Sequence, residues 1–173
     1  MKRILIAAIA AASIAAPSVP QAAHFSLSAA ITPQMGLLFA GAFDPGFSAA
    51  GLELSGSLER GPFRFEAGSE AGLSPIGWEL LFPLRAGIRL GAGPLAFEAL
   101  LEAAPGMALT RPVLFMAGFG AAGRAVWSIA PSFSLFASIG ARWSICPAYG
   151  AFTGISYTSI DMPVSIGLRW TPR

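Results

Sequence analysis

The sequence predicts an all-β chain: a closed, up-and-down antiparallel transmembrane β-barrel of about eight strands, preceded by a cleavable signal helix. Three observations support this prediction. Apolar side chains alternate with polar or small ones along most of the chain after residue 23, which is the two-residue period of a β-strand. Charged residues make up 12% of the chain, whereas soluble domains have about 25%. Short and long connections alternate between the segments, as they do in barrels that cross a membrane.

The first segment, residues 1–23, has the pattern of a secretory signal peptide. Lys2 and Arg3 precede an apolar run from Ile4 to Ala16, and prolines and small residues follow as far as Ala23. This run is shorter than the roughly 20 residues of a transmembrane helix. A buried core helix is the alternative, and we expect cleavage near the end of this segment. Residues 24–173 then form one barrel domain.

Eight segments carry the alternation, and most are about ten residues long, which suits a tilted strand in a bilayer. Their apolar faces are Phe25, Leu27, Ala29 and Ile31; Leu52, Leu54 and Leu58; Phe63, Phe65 and Ala67; Trp78, Leu80, Phe82, Leu84, Ala86, Ile88 and Leu90; Leu95, Phe97, Ala99 and Leu101; Phe115, Ala117, Phe119, Ala121, Ala125 and Trp127; Phe133, Leu135, Ala137, Ile139, Ala141 and Trp143; and Met162, Val164, Ile166, Leu168 and Trp170.

Each connection between these segments contains a proline, which favours turns and cannot donate a ladder hydrogen bond. The short connections are residues 60–62, 91–94 and 130–132, and the longer ones lie near Ala40–Gly46, Gly68–Gly77, Ala103–Pro112 and Cys146–Ser159. An even number of strands places both termini on the short-turn side. Pro33, Pro83 and Pro163 fall inside strands, where they predict bulges or strand ends.

The charged side chains of the strands lie on the face opposite the Leu, Phe and Trp residues. Because too few charges are present to coat a soluble barrel, we expect this face to point inward, where both signs can pair. The predicted lumen charge network is Glu53, Glu59, Arg64, Glu66, Arg85, Arg89, Glu98, Glu102, Arg124, Arg142, Asp161 and Arg169, with Glu70 and Glu79 on the same face. The opposite orientation would be a secreted, soluble, lipocalin-like barrel that binds an apolar ligand.

Aromatic residues concentrate near the two ends of the predicted strands, as they do at the two interfaces of a membrane. Near the short turns lie Phe63, Phe65, Trp127, Phe133 and Trp170, and near the long loops lie Phe39, Phe47, Trp78 and Trp143. We expect these rings to form lipid-facing girdles.

The last strand, in which Met162, Val164, Ile166, Leu168 and Trp170 share one face, resembles the terminal strand of outer-membrane barrels. With the signal segment and the length of the mature chain, the sequence is similar to the small eight-stranded OmpA/OmpX-type proteins across nearly the whole mature chain. The sequence departs from that pattern in the Thr171-Pro172-Arg173 tail after the aromatic residue. The resemblance implies a bacterial outer-membrane location, outer-membrane lipid as the surroundings, and a last strand that the barrel-assembly machinery reads.

Several other activities are disfavoured by the sequence. Without Lys2 and Arg3, nine Arg face nine Asp or Glu, so no basic surface for nucleic acid is expected. Residues 118–123 spell G-x-G-x-x-G, but inside an alternating strand rather than at a strand-to-helix turn. The single histidine, His24, lies beside the signal segment, so a Ser–His–Asp enzyme is not expected. The single Cys146, at the start of the last long connection, is interpreted as a loop thiol. No cofactor and no metal site are predicted.

The sequence therefore predicts a non-enzymatic integral outer-membrane protein with a structural or surface-interaction role. A narrow gated channel is the main alternative, and the partner of the outer loops is not specified. A helical inner-membrane protein is a further alternative, because Leu95–Ala108 and Val113–Ala130 are apolar. The charges in these segments and their two-residue period disfavour it.

Overall fold

The computed structural model describes residues 23–39, 42–74, 77–91, 93–146 and 157–172. These residues form antiparallel strands and their connections. The strands are β1 (His24–Phe39), β2 (Ala42–Arg60), β3 (Phe63–Ser74), β4 (Gly77–Leu81), β5 (Leu84–Leu90), β6 (Leu95–Ala108), β7 (Leu114–Ala130), β8 (Phe133–Cys146) and β9 (Tyr157–Trp170). The predicted signal segment lies outside the described residues except for Ala23.

The strands close into a barrel of eight strands, as the sequence predicts. Consecutive strands pair except for β4 and β5, and β9 pairs with β1 to complete the cylinder. The fourth strand consists of two segments, because both β4 and β5 pair with β3 on one side and β6 on the other. The register is the same on both sides of the break, since Leu81 pairs with Glu70 and Leu84 with Ala67. Pro83 therefore interrupts a strand without shifting it.

The two ends of the barrel differ in the connections they carry. At one end the chain reverses in short turns, and Gly61 in the first of them has φ 61°, a left-handed conformation that glycine adopts without steric cost. At the other end the strands extend further than the sequence pattern indicates. β3 continues to Ser74 and β6 to Ala108, through residues that the sequence assigned to loops. Ladder hydrogen bonds use the backbone, so pairing continues where small side chains hide the alternation.

The outer surface of the barrel is apolar. Phe115 is 74% exposed, Leu101 70% and Ile166 65%, and every large residue of the predicted apolar faces that belongs to a described strand points outward. The inward positions carry the ionic side chains, and Arg64 is 0% exposed. This arrangement is the inverse of a soluble barrel and excludes the lipocalin-like alternative. The orientation predicted from charge parity is therefore the one that the structure has.

The helical alternative is wrong, because both apolar segments that suggested it form strands of the barrel. Among the described residues, no helix is long and apolar enough to cross a membrane.

Close approach of neighbouring strands explains one glycine of β3. A Cβ atom added at Gly68 would lie 2.7 Å from the Leu54 carbonyl oxygen and 2.8 Å from the Ser55 Cβ. We expect Gly68→Ala to destabilise the barrel by about 1–3 kcal/mol, because backbone must move to admit the methyl group. Urea unfolding in detergent micelles measures this. Gly123→Ala is the matched control: this glycine faces outward with no heavy atom within 4 Å, so its change should be within about 0.5 kcal/mol.

Candidate functional site

The lumen is filled by a cluster of paired charges contributed by β2, β3, β5, β6, β7, β8 and β9. We call it the lumen ionic cluster. Its members are the six arginines Arg64, Arg85, Arg89, Arg124, Arg142 and Arg169 and the six glutamates Glu53, Glu59, Glu66, Glu70, Glu98 and Glu102. Each member lies at an inward position of its strand, and the formal charges cancel.

Glu66 lies at the centre of this cluster. Its carboxylate is 2.9 Å from the Arg64 guanidinium, 2.6 Å from that of Arg85 and 2.8 Å from that of Arg124. The side chain of Glu66 is fully buried. One carboxylate therefore bridges three strands, β3, β5 and β7, through charge-assisted hydrogen bonds.

Toward the short-turn end, two further glutamates connect the arginines. Glu98 receives two hydrogen bonds from Arg169, of 2.7 and 3.0 Å, and lies 3.4 Å from Arg124. Glu59 pairs with Arg64 and with Arg89, the latter at 3.0 Å. Glu59 is 18% exposed, so water reaches this edge of the cluster.

Toward the long-loop end, Glu102 joins Arg85 to the sixth arginine, Arg142. It accepts hydrogen bonds from Arg85 at 2.6 Å and from Arg142 at 2.7 Å. Arg142 also donates to Glu70 at 2.9 Å, and the Gln34 amide donates to the same carboxylate at 2.7 Å. Glu53 completes this part by pairing with Arg85. The Arg142–Glu70 pair thus reaches across the lumen, because β8 and β3 lie on opposite sides of the barrel.

Asp161 and Glu79 face the lumen but occupy different surroundings from the cluster. Asp161 is buried and accepts a hydrogen bond of 2.7 Å from the Ser159 hydroxyl, two residues away in β9. Glu79 is half-buried in β4, above the break at Pro83. The sequence argument placed Asp161 in the network by its parity, but parity does not specify which cation lies within reach.

Phe136 is a lumen residue that the sequence argument did not single out. Its ring lies under the Arg124 guanidinium, with 4.7 Å between the Arg124 Cζ and the ring centroid, and the Arg169 Cζ is 5.7 Å from the same centroid. The ring is 5% exposed. The sequence contains the information needed to predict this position, because Phe136 lies on the same face of β8 as Arg142.

We expect Phe136→Leu to destabilise the barrel by about 1–2 kcal/mol. The substitution keeps an apolar side chain of similar size but removes the π face that both guanidinium groups contact. Urea unfolding, followed by the shift of the folded band on a gel, measures the loss. Phe97→Leu is the control, because Phe97 is exposed on the outer face of β6. Equal losses for the two variants would contradict a cation–π contribution.

Above the ionic cluster, at the long-loop end, the lumen is lined by a small apolar group that we call the outer apolar cluster. It consists of Ala108, Leu114, Met116 and Cys146, each at most 6% exposed. Cys146 is the last residue of β8 and is 1% exposed. The interpretation of Cys146 as a loop thiol is therefore wrong: strand pairing continues to Tyr157 and turns its side chain into the lumen.

The aromatic residues of the predicted girdles project from the outer surface at both ends. The described members are Phe63, Phe65, Trp78, Trp127, Phe133, Trp143 and Trp170, each between 42% and 60% exposed. The side chains of Phe39 and Phe47 lie outside the described residues. Phe133 and Trp170 are direct cross-strand neighbours at the short-turn end, and Phe119 and Trp143 are neighbours at the other. Phe119 is therefore a further member of the aromatic girdle at the long-loop end, in addition to the predicted residues.

The last strand presents the five residues of the predicted assembly signal on its outer face. Ile166, Leu168 and Trp170 are exposed, and Met162 and Val164 are half-exposed. The chain continues past Trp170 in register with the neighbouring turn, because the Thr171 amide donates to the Ser132 carbonyl at 2.9 Å.

Within the part of the chain that the structure describes, no group of three metal-binding side chains comes together. The G-x-G-x-x-G string lies in the middle of β7, where Gly118 and Gly120 face the lumen and Gly123 faces outward. A Cβ atom at Gly118 would lie 3.1 Å from the Arg142 Cδ, so this glycine makes room for an arginine of the ionic cluster.

Comparisons with known proteins identify the fold. No protein-family model and no curated protein matches the chain. Among solved structures, the crystal structure of Neisserial surface protein A (NspA) matches with a TM-score of 0.63 at 13% identity, over 87% of this chain and 99% of that one. A de novo designed transmembrane β-barrel matches with a TM-score of 0.44 at 10% identity, over 85% of this chain and 95% of the design. The chain therefore has the fold of NspA, an eight-stranded outer-membrane barrel.

Proposed function

We propose that this protein is an integral component of the bacterial outer membrane, with a structural or surface-interaction role and without catalytic activity. The observation that carries the proposal is the inverted distribution of side chains. Apolar residues such as Leu101 and Phe115 cover the outside, whereas the arginines and glutamates are buried within. A closed barrel satisfies its own backbone groups, so this surface suits hydrocarbon. Of the described residues, the basic ones exposed outside the lumen, His24, Arg60 and Arg111, lie at the two ends of the barrel.

The packing of the lumen supports a closed barrel over a channel. An eight-stranded barrel has an interior just wide enough for its own side chains. Here the twelve side chains of the lumen ionic cluster cancel in formal charge, and Arg64, Glu66 and Glu98 are fully buried. An ion crossing the lumen would have to separate charge pairs that have little water to replace them. Single-channel recording on the purified protein in planar bilayers should therefore show no steps. Regular conductance steps would support the gated channel instead.

Heat modifiability on a gel tests the proposal most directly. The purified full chain, folded into phosphatidylcholine vesicles, is run in dodecyl sulfate with and without boiling. We expect the unboiled band to migrate faster, because a closed barrel resists the detergent and stays compact. Two results would contradict a membrane barrel: identical migration of the boiled and unboiled samples, or protein that stays in the aqueous phase and does not associate with the vesicles.

The partners follow from the same reasoning. The outer surface takes outer-membrane lipid, and the aromatic rings at both ends lie where they can reach the two interfaces. The outward residues of β9 provide the pattern that an assembly machinery reads. Shortening of the Thr171–Arg173 tail tests this part: removal of these residues should leave insertion into cell envelopes intact, whereas Trp170→Ser should reduce it.

A further inference from the structure

Two opposite strands of the barrel lose ladder pairing on both of their sides at one level. In the order around the barrel, β4/β5 is the fourth strand and β9 the eighth, so they face each other across the lumen. The pairing of β4/β5 skips Phe82 and Pro83 on both sides. The pairing of β9 with β8 skips Met162 and Pro163. The pairing of β9 with β1 skips Val164 and Ser165.

Prolines explain each interruption. Gly68 donates to the Pro83 carbonyl at 3.0 Å, and Phe82 donates to the Pro105 carbonyl at 2.8 Å. The reciprocal bonds cannot form, because proline has no N–H group. At β9, the gap toward β8 contains Pro163. The gap toward β1 contains Pro33, which lies opposite Val164. A side-chain bond of 3.3 Å from Ser165 to Thr32 crosses the second gap.

Each interruption combines one inward and one outward proline. Pro83 lies seven residues before Leu90, the end of β5, and Pro163 lies seven residues before Trp170, the end of β9. Both occupy inward positions. The prolines on the following strand around the barrel, Pro105 in β6 and Pro33 in β1, are both exposed on the outside. The heights of the two prolines relative to each other differ, because Pro105 lies opposite Phe82, the residue before Pro83, whereas Pro33 lies opposite Val164, the residue after Pro163.

The interruptions divide each of the two strands into parts that are held differently. Below Pro83, β5 carries Arg85 and Arg89 into the lumen ionic cluster, and below Pro163 the chain carries Arg169 into it. Above the prolines lie β4 and residues 157–162, which we call the two outer segments. Each borders the outer apolar cluster, because Glu79 pairs with Ala108 and Tyr157 pairs with Cys146.

We propose that the two outer segments open away from the barrel at their prolines and connect the outer apolar cluster with the surrounding lipid on two opposite sides. The lower parts stay closed, since the ionic cluster holds them. The missing backbone bonds lower the cost of opening at this level. The surface that the opening exposes on β6, β7 and β8 includes the outer apolar cluster, which hydrocarbon can contact, while each outer segment also carries one inward carboxylate, Glu79 or Asp161. This inference rests on the membrane location proposed above.

Hydrogen exchange of the folded full chain in vesicles tests the opening. Amides of residues 78–81 and 158–162 should exchange faster than those of Leu114–Phe119 in β7. That segment lies at the same end of the barrel and belongs to a strand that pairs with β6 and β8 and with neither interrupted strand. Equal exchange in all three would overturn the proposal. It would leave the membrane location intact, which the heat-modifiability gel tests separately.

Restoring the missing donors provides a second test. Pro33→Ala and Pro105→Ala each return one N–H group at an outward position, so no buried volume is lost. We expect each to slow exchange in its outer segment about fivefold, the effect of one ordinary hydrogen bond. Pro94→Ala, in a short turn at the other end of the barrel, is the matched control and should change neither segment. Unchanged exchange in both restoring variants would contradict the hinge.

Cys146 provides a native reporter of the lateral path, since it is the single cysteine of the chain. A lipid-soluble pyrene maleimide in the vesicle membrane should label Cys146 more slowly in Pro33→Ala and Pro105→Ala, again about fivefold. A charged maleimide in the water should label at a rate that these substitutions leave unchanged. If the lipid-soluble reagent reacts equally fast in the parent and in both variants, no lateral path through the outer segments exists.

Discussion

Glu66→Gln is expected to destabilise the barrel by about 3–5 kcal/mol, the largest loss among the substitutions considered. The carboxylate of Glu66 contacts three arginines, Arg64, Arg85 and Arg124, whose side chains are at most 6% exposed. Glutamine keeps the shape but removes the charge, so three buried cations lose their common partner. Urea unfolding in phosphatidylcholine vesicles, monitored by tryptophan fluorescence, measures the change.

Two controls separate the lost charge from other effects of the substitution. Glu59→Gln should cost less, because Glu59 is 18% exposed and water can replace part of the lost interaction. The double variant Glu66→Gln/Arg124→Met should recover part of the stability, since one unpaired cation is removed with the anion. A loss below about 1 kcal/mol for Glu66→Gln would mean that the arginines find other partners and that the cluster is not the element that holds the lumen together.

Leu101→Arg is expected to destabilise the protein in a bilayer by about 2–4 kcal/mol, the cost of a cation on the lipid face near the middle of the membrane. Leu101 is 70% exposed, halfway along β6, and neighbours Ala86 and Ala121 on the adjacent strands. In a soluble barrel, the same substitution on such an exposed position would be neutral. The sign of the effect therefore distinguishes the two environments.

The depth dependence provides the control for that prediction. Leu95→Arg, at the short-turn end of the same strand and on the same face, should cost about 0–1 kcal/mol, because the charge can reach the interface. Both variants are compared by urea unfolding in vesicles of one lipid. Equal effects at the two positions would contradict a membrane that surrounds the middle of the barrel.

Local pattern was enough to predict the strands and the direction in which each side chain points. The period of two in β6 separates Leu95, Phe97 and Leu101 from Glu98 and Glu102, and the structure has the first three outside and the last two inside. The prediction of side-chain direction succeeds because successive residues of a strand point to opposite faces. Once one residue is assigned to a face, the faces of all the others follow. The alternation did not predict the full length of a strand whose end consists of small residues, as in β3 and β6.

The partners inside the lumen could not be predicted in this way. Glu66 and Arg124 are 58 positions apart in the chain, and Glu98 and Arg169 are 71 apart. They meet because the sheet closes and brings β3 and β7, and likewise β6 and β9, within side-chain reach of each other across the lumen. Strand parity predicts that fourteen charged side chains point inward, but it does not predict which carboxylate each guanidinium contacts. Asp161, for example, accepts a hydrogen bond from Ser159. The buried position of Cys146 depends on strand pairing beyond the visible pattern in the same way.

The sequence by itself determined the architecture: its two-residue alternation and its shortage of charge require strands with one apolar and one ionic face, and those faces require a closed wall between lipid and lumen. Only the tertiary structure decided how the interior is arranged. Closure sets which side chains meet across the lumen, joins six arginines to six glutamates in a neutral cluster, and brings the interrupted strands β4/β5 and β9 to opposite sides. The physical reason is that alternation is a property of neighbouring residues, whereas charge pairing and missing ladder bonds depend on distances between residues far apart in the chain.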